Sequence, residues 1–306
     1  MKERAIRKVL ASRQAKINHA QLAAERKLAA ALSIPEIAAA HEKYVDLQFK
    51  AAMRGNDGTL NVQSALDEYH RALSAHGISE QDFVYIPTCP ICKDTGNHSG
   101  KACKCVWNEY IAALKQECRI EEKAPFTFES CDTHIVKNGA QRAQLDKIYA
   151  WMKAYSQKLP NVKLKNIVLS GNVGTGKTCL ASAVAREAVE RGKSCKFMSA
   201  FEFNNEMLAA HTSPISERNS HLHDVLTADL LVIDDLGTEP HIRNVTVEYL
   251  LLVLEERLIN KHITIITTNL NADRIMSQYS ERIYSRLTDK GNSLFVELNG
   301  DDLRHS

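Results

Sequence analysis

The sequence has no apolar run that approaches the roughly 20 residues of a membrane span, and its basic N-terminus lacks the hydrophobic core of a secretory signal. We therefore expect a cytoplasmic protein with no membrane partner. Aromatic residues are scarce, at 6% of the chain, and the net charge is only +2. The hydrophobic fraction of 44% and the charged fraction of 25% are still those of a soluble globular protein, and 306 residues are enough for about two domains.

The first segment, residues 1–86, is helical in pattern. Residues 1–32 contain neither glycine nor proline, which favours one long helix, and a second helix should end at 55–58. A third helix is predicted by apolar residues at helical spacing, namely Val62, Leu66, Tyr69 and Leu73. Helices with so few aromatic residues rarely make a large core alone. We therefore expect this segment to be a partner-binding region.

The small net charge hides a local excess at the N-terminus. Residues 1–33 contain eight basic residues against Glu3 and Glu25, an excess of six (8 − 2). The basic residues are Lys2, Arg4, Arg7, Lys8, Arg13, Lys16, Arg26 and Lys27. Such a stretch could contact nucleic acid or an acidic protein surface, although a solvated helix face would explain it as well.

The second segment, residues 87–118, carries two closely spaced cysteine pairs. They are Cys89 with Cys92, and Cys103 with Cys105. Four thiolates in two such pairs fit tetrahedral Zn²⁺, and His98 could replace one of them. Unmetallated cysteines remain an alternative, whereas a redox pair would need a thioredoxin-like unit that the surrounding sequence lacks. The other cysteines are scattered and are expected to be ordinary packing residues rather than disulfides, namely Cys118, Cys131, Cys179 and Cys195.

The strongest motif lies at residues 171–178, between the apolar run 167–170 and the helix-favouring stretch 179–191. It consists of Gly171, Asn172, Val173, Gly174, Thr175, Gly176, Lys177 and Thr178. Its glycines allow successive N–H groups to wrap a polyphosphate. Lys177 would reach the β- and γ-phosphates, and the Thr178 hydroxyl would ligate Mg²⁺. This P-loop pattern, between a strand and a helix, predicts that the chain binds ATP.

Two further strand ends complete the predicted nucleotide machinery. The apolar strand 230–234 ends in Asp234, which can hold Mg²⁺ through its water shell, and in Asp235, which is placed to orient or deprotonate the attacking water. Many ATPases of this type have the longer glutamate there, so hydrolysis is expected to be slow. The strand 263–268 ends in Asn269, which could contact the γ-phosphate or the attacking water.

The third segment, residues 119–306, therefore predicts an α/β fold with a central parallel five-stranded sheet flanked by helices. The candidate strands are 167–170, 195–199, 230–234, 263–268 and 293–297. Arg282 and Arg286 lie one helical turn apart and could present a guanidinium to a neighbouring subunit's γ-phosphate. A surface salt bridge, for instance to Glu281 or Asp289, is the alternative.

Taken together, these motifs make the chain resemble an AAA+ ATPase of the DnaC/DnaI/IstB group, which comprises replicative-helicase loaders and their transposition relatives. The resemblance extends over Cys89–Gly96, Ala124–Phe128, Gly171–Thr178, Leu230–Gly237 and Glu281–Leu287. By motif position it implies that Asp235 is the catalytic carboxylate, Asn269 sensor 1 and Arg304 sensor 2. Arg286 would be the arginine finger, with Arg282 still possible.

The resemblance also implies a mechanism and partners. The N-terminal helices would bind a DnaB-type replicative helicase, and ATP would assemble the chains into an oligomer in which each finger completes its neighbour's site. The assembly would hold single-stranded DNA, and its ATP hydrolysis would be slow and stimulated by the partner. Alternatives are a transposase-helper ATPase acting on duplex DNA and a P-loop small-molecule kinase, although the paired carboxylates with Asn269 fit hydrolysis better than phosphate transfer to an acceptor.

Overall fold

The computed structural model describes residues 1–54, 61–131, 133–298, 300 and 302–303. It divides into two compact units, one formed by Lys8–Trp107 and the other by Met1–Arg7 together with Asn108–Ser306. The helical region and the cysteine pairs thus share one unit. Within the described ranges, no helix combines the length and the apolar character that a bilayer crossing requires.

The unit Lys8–Trp107 is built from helices that pack over a small core. Its elements are the helices α1 (Lys2–Leu32) from Lys8 onward, α2 (Pro35–Arg54) and α3 (Val62–Ala75), and the hairpin strands β1 (Asn97–His98) and β2 (Lys101–Ala102). The expected third helix is confirmed, and its C-terminal Gly77 has a φ of +67°. The core holds only a few side chains, chiefly Ala31, Ile37, Ala40, Tyr69 and Leu73. The predicted end of the second helix at 55–58 lies outside the described residues.

The larger unit is a parallel sheet between two layers of helices. Its helices are α4 (Lys104–Cys118), α5 (Ile120–Lys123), α6 (Gly139–Gln157), α7 (Lys177–Glu190), α8 (Ala200–Thr212), α9 (Ile215–Thr227), α10 (Thr246–Ile259), α11 (Ala272–Gln278) and α12 (Glu281–Thr288). Its strands are β3 (Asn166–Gly171), β4 (Cys195–Ser199), β5 (Leu230–Leu236), β6 (Ile263–Thr268) and β7 (Ser293–Leu298). The five predicted strands are confirmed, with ends that differ by two residues at most.

The sheet has the strand order β4-β5-β6-β3-β7, and each neighbouring pair is parallel. The strands read as nearly continuous apolar runs because helices cover both faces. On β3, Ile167 and Leu169 pack into the core on one face, whereas Val168 packs into the core on the other. The carboxyl ends of β3, β5 and β6 consequently meet at one edge, where parallel sheets of this kind bind their ligands.

The first residues of α1 are held by ion pairs within the larger unit. Lys2 Nζ lies 2.8 Å from Asp229 Oδ1, and Arg4 lies 2.8 Å from Glu117 and 2.7 Å from Asp224. Part of the basic N-terminal excess is therefore used in structural contacts within this unit, which neither a nucleic-acid partner nor a solvated helix face describes.

Candidate nucleotide-binding site

The predicted phosphate loop connects the end of β3 to the start of α7. Gly171 has a φ of +144°, and a Cβ there would lie 2.1 Å from the backbone oxygen of Leu298. Gly174 has a φ of +77°, and a Cβ there would lie 1.7 Å from the Asp302 carboxylate. Position 171 therefore requires glycine for space as well as for backbone conformation, whereas position 174 requires it for its backbone conformation, since the Asp302 side chain can move. The Thr175 hydroxyl donates to the Asn172 carbonyl at 2.9 Å and closes the loop.

Lys177 and Thr178 open α7, at the end of the helix that favours anions. Lys177 is 4% exposed, and its ammonium donates to the carbonyls of Gly171 at 2.8 Å and Asn172 at 2.6 Å. The side chain thus folds back over the loop, so its charge lies at the centre of the phosphate cradle. Thr178 Oγ1 donates to Asp234 Oδ1 at 3.0 Å, which joins the two predicted Mg²⁺ ligands.

Asp234 lies at the end of β5 between two hydroxyl donors. Thr267 Oγ1 on β6 donates to its Oδ1 at 2.7 Å, in addition to the bond from Thr178. Burial, together with the charge of Asp235, raises the pKa of Asp234 above its usual range in spite of these bonds. A carboxylate in this position is stabilised by a bound cation. The Thr178 hydroxyl and the Asp234 carboxylate suit the oxygen preference of Mg²⁺, so the residues present fit this ion.

Asp235 is held in an unusual backbone conformation. Its φ is +57°, and it lies where the register between β5 and β6 is interrupted, between Ile233 and Leu236. Its N–H donates to Thr267 Oγ1 at 2.8 Å, so the hydroxyl that supports Asp234 also anchors Asp235. The irregularity takes Asp235 out of the strand's alternation and places it, with Asn269, on the wall of the cavity. Strain of this kind is concentrated at functional sites.

A cavity of ≈450 Å³ joins these residues. Its polar side is formed by Lys177, Thr178, Asp235 and Asn269, and its apolar side by Phe126, Leu145, Tyr149 and Leu303. The volume is within the range of small-molecule sites. The polar side matches a triphosphate and the apolar side matches a purine base. Sequence reasoning missed the apolar wall, because its residues come from distant segments and carry no motif beyond Ala124–Phe128.

The C-terminal segment lies against the phosphate loop. The Leu303 N–H donates to the Gly174 carbonyl at 3.0 Å, and the Leu303 side chain lines the cavity. The predicted sensor 2 residue, Arg304, lies outside the described residues, so its role stays a prediction.

Arg282 and Arg286 on α12 share one carboxylate on α10. Arg286 Nη2 lies 2.7 Å from Glu255 Oε1, and Arg282 Nη2 lies 3.7 Å from the same atom. The expected alternative partners were Glu281 and Asp289, but Glu255 has this role. Neither arginine is among the described residues that line the cavity. Arg286 is 36% exposed and Arg282 69%. If Arg282 or Arg286 takes part in ATP hydrolysis, it would therefore have to act in the site of a neighbouring subunit.

Two cysteines that the sequence suggested were ordinary packing residues form a disulfide. Cys131 and Cys179 are 48 residues apart in sequence, and their Cα atoms lie 6.0 Å apart. The prediction was wrong for these two because the segment before α6 crosses the first turn of α7, which spacing alone does not reveal. The prediction of ordinary packing residues is confirmed for Cys118 and Cys195, whose exposed fractions are 5% and 0%. The Cys195 N–H donates to Cys118 Sγ at 3.3 Å.

The two cysteine pairs of the smaller unit converge on a single point. The sulfur atoms of Cys89, Cys92, Cys103 and Cys105 all lie within 4.8 Å of one another. The Cys89–Cys103 and Cys92–Cys105 sulfurs are 3.9 and 3.6 Å apart. A regular tetrahedron with the edge lengths of these two pairs would place its centre about 2.2–2.4 Å from each sulfur, close to the Zn–S distance of about 2.3 Å. His98 is exposed and is not part of this group.

Neighbouring groups shift the pKa values of two of the four thiols, Cys92 and Cys105. Burial opposes ionisation of Cys92, but hydrogen bonds from the Gly96 N–H and the other thiols lower its pKa to about 7. Burial and the neighbouring thiols raise the pKa of Cys105 to about 12. A bound cation would offset the repulsion between closely spaced thiolates, and the donor set of four thiols fits Zn²⁺. Arg13 donates to Cys105 Sγ at 3.6 Å and to the Asp94 carbonyl at 3.1 Å, a role that its sequence context does not suggest.

The chain is similar in sequence to an ATP-binding family and to replicative helicase loaders. Residues 159–304 match a family model described as "IstB-like ATP binding protein". The replicative helicase loader DnaC of Buchnera aphidicola subsp. Acyrthosiphon pisum is 30% identical over 217 residues, which cover 65% of this chain and 84% of that protein. The replicative helicase loader DnaC of Escherichia coli (strain K12) is 31% identical over 143 residues, 46% of this chain and 57% of that protein. A crystal structure of DnaI superposes with a TM-score of 0.47 at 23% identity, over 60% of this chain and 93% of that one.

Proposed function

The chain belongs to the DnaC/DnaI/IstB group of AAA+ ATPases, and from this premise we propose that it is an ATP-dependent loader of a DnaB-type replicative helicase in the initiation of DNA replication. The observation that carries the proposal is the convergence of the phosphate loop, Thr178, Asp235 and Asn269 on one cavity, with Asp234 hydrogen-bonded to Thr178 behind it, in a chain related to helicase loaders over most of their length. We propose that the protein acts in the cytoplasm.

Each side chain of the site has a part in ATP turnover. The loop N–H groups and Lys177 bind the phosphates, and Thr178 and Asp234 would hold Mg²⁺, which neutralises phosphate charge when bound. Asp235 orients and deprotonates the attacking water, and Asn269 holds that water or the γ-phosphate. Because Asp235 is one methylene shorter than glutamate, we propose slow turnover that the partner stimulates by tightening the site.

We propose that self-association completes the site. Arg286 would enter the ATP site of a neighbouring copy as the arginine finger, and Glu255 would hold it in position beforehand. The 2.7 Å pair leaves Arg286 partly exposed on the surface of α12, where a neighbour can be reached. Arg282, at 3.7 Å from the same carboxylate and more exposed, remains the second candidate.

The helical region 1–86 is proposed as the helicase-binding part. On α2, Val45, Phe49 and Met53 recur every four residues and are 44%, 65% and 72% exposed, so they form one apolar stripe. An apolar stripe that the small core leaves uncovered is the kind of surface that a partner protein buries. The segment 87–118 would hold Zn²⁺ through its four cysteines as a structural site, and 119–306 is the ATPase part.

A second candidate is a transposase-helper ATPase, because the matching family model is described as IstB-like. Direct binding of single-stranded DNA is proposed for the loader, whereas duplex DNA would be the partner of a transposase helper. The exposed Arg26 and Lys27 of α1 are the proposed electrostatic contribution to DNA binding in either case.

A loading experiment with the full chain tests the proposal. A DnaB-type helicase hexamer and closed circular single-stranded DNA are mixed with the chain and ATP, and the helicase retained on the circle is measured. Loading should require the chain and should be lost in Lys177→Ala. Phe49→Ala should weaken helicase capture, whereas Gln48→Ala, an exposed residue beside the stripe, should not. Absence of both capture and loading with the wild-type chain would contradict the proposal.

A further inference from the structure

We propose that Cys131 and Cys179 form a redox-controlled clamp on the nucleotide pocket, closed as a disulfide and open as two thiols. The inference rests on the proposed function, because it takes the cavity to be the ATP site. It adds a covalent modification site to that pocket. Its starting point is that the disulfide lies inside the site: both cysteines line the cavity, together with Phe126 and Ser130.

The disulfide joins the two sides of the pocket. Cys179 directly follows Thr178 in the first turn of α7, so it is fixed to the phosphate-binding side. Cys131 belongs to the segment that begins with Phe126 and forms the base-side wall. That segment is already tied to α7 at Phe126, whose N–H donates to Ser182 Oγ at 2.9 Å and whose carbonyl accepts from it at 3.1 Å.

The covalent tie adds a second anchor several residues further along the same wall. Between the two anchors the segment bonds to itself, as in the turn where the Thr127 N–H donates to Ser130 Oγ at 2.8 Å, and to α6, where the Tyr149 hydroxyl donates to the Phe128 carbonyl. With both ends fixed, the wall is held at a set distance from the phosphate loop. A pre-organised wall binds nucleotide more tightly, because less conformational entropy is lost on binding.

The pair is also accessible to reagents. Cys131 and Cys179 are half-buried and face an open cavity, whereas Cys118 and Cys195 are enclosed in the core. Burial raises the pKa of Cys118 to about 11, which makes that thiol a poor nucleophile. Cys118 therefore serves as an unreactive internal control for Cys131 and Cys179.

The chemistry is thiol–disulfide exchange with a low-molecular-weight or protein thiol. A donor thiolate attacks one sulfur, the Cys131–Cys179 bond breaks, and a mixed disulfide forms. A second donor thiol resolves it, so that the donor becomes a disulfide and the chain gains two electrons and two protons as two thiols. The reverse reaction uses a small disulfide as oxidant. In a reducing cytoplasm the clamp would be open and would close when disulfides accumulate.

Nucleotide affinity measures the clamp directly. A fluorescent ATP analogue is titrated with Mg²⁺ into the full chain after treatment with oxidised glutathione or with dithiothreitol. The oxidised chain should bind about fivefold more tightly, the lower end of typical coupling between linked sites. Cys131→Ser and Cys179→Ser should each bind nucleotide equally before and after oxidation, whatever their own affinity, while Cys118→Ala should keep the full response.

The variants separate the clamp from the other cysteines. A response that persists in Cys131→Ser would belong to the zinc cluster and would overturn the proposal. If the oxidised and reduced wild type bound the nucleotide with equal, measurable affinity, the clamp proposal would be overturned and the proposed ATP site would stand. Failure to bind nucleotide in both states would instead contradict the proposed ATP site, and the clamp with it.

Discussion

The disulfide between Cys131 and Cys179 leads to a prediction about stability that can be worked from its position. It closes a loop of 48 residues in the larger unit. In the chain-entropy model, a cross-link over that length stabilises the folded state by about 4 kcal/mol at 25 °C, and measured values commonly lie at about 2–4 kcal/mol. For a unit of this size, losing about 4 kcal/mol of stability lowers the Tm by about 8–16 °C.

Urea unfolding with and without dithiothreitol provides the assay. The wild-type midpoint should fall on reduction, and Cys179→Ser should unfold at the reduced midpoint whether or not dithiothreitol is present. Bound metal is measured in each sample, so that a change at the cluster of four cysteines can be told apart from opening of the disulfide. If reduction left the wild-type midpoint unchanged while alkylation showed that the pair had opened, the reasoning from loop closure would be refuted.

Three further predictions concern the arginines, the cysteine cluster and the N-terminal ion pairs. Glu255→Gln should lower turnover about tenfold by loosening both arginines, with a stability loss under about 1 kcal/mol, whereas the exposed neighbour Glu256→Gln should do neither. Cys103→Ser should abolish bound zinc in the purified chain, whereas His98→Ala should retain it, as metal analysis will show. Asp229→Asn should cost about 1–3 kcal/mol in urea unfolding at pH 7 and should flatten the acid decline in stability.

The sign of the acid effect follows from the contacts of Asp229. Burial opposes its ionisation, but hydrogen bonds from Lys2 and from the Ser194 N–H and hydroxyl outweigh burial and lower its pKa in the folded chain. The stabilisation is therefore present above the unfolded pKa of about 3.9 and is lost as pH falls through the lower folded value. A variant as acid-sensitive as the wild type would contradict this assignment.

Sequence reasoning predicted most of the fold because its strands are apolar on both faces and end in motif residues. Gly174 and Asp234 could be assigned by pattern, since phosphate and Mg²⁺ binding require particular residue types at fixed places along a strand and its following loop. The predicted tetrahedral arrangement of the cysteines is similarly a consequence of close spacing along the chain.

The features that escaped prediction depend on contacts between segments far apart in sequence. The Cys131–Cys179 disulfide, the pairing of Arg286 with Glu255 and the apolar wall around Tyr149 each join elements whose relation is fixed only by packing. The backbone irregularity that turns Asp235 into the cavity is also a tertiary effect, because the shared Thr267 hydroxyl comes from the next strand of the sheet.

The central claim is that two copies of the chain complete one ATP site, and mixing two inactive variants tests it most directly. Lys177→Ala should lose ATP binding but still supply Arg286, while Arg286→Ala should bind ATP but lack the finger. Each alone should be inactive, and a 1:1 mixture should recover about a quarter of wild-type turnover, because random assembly pairs a competent loop with a competent finger at about one interface in four. A mixture that co-assembles but remains inactive at every ratio would contradict the account.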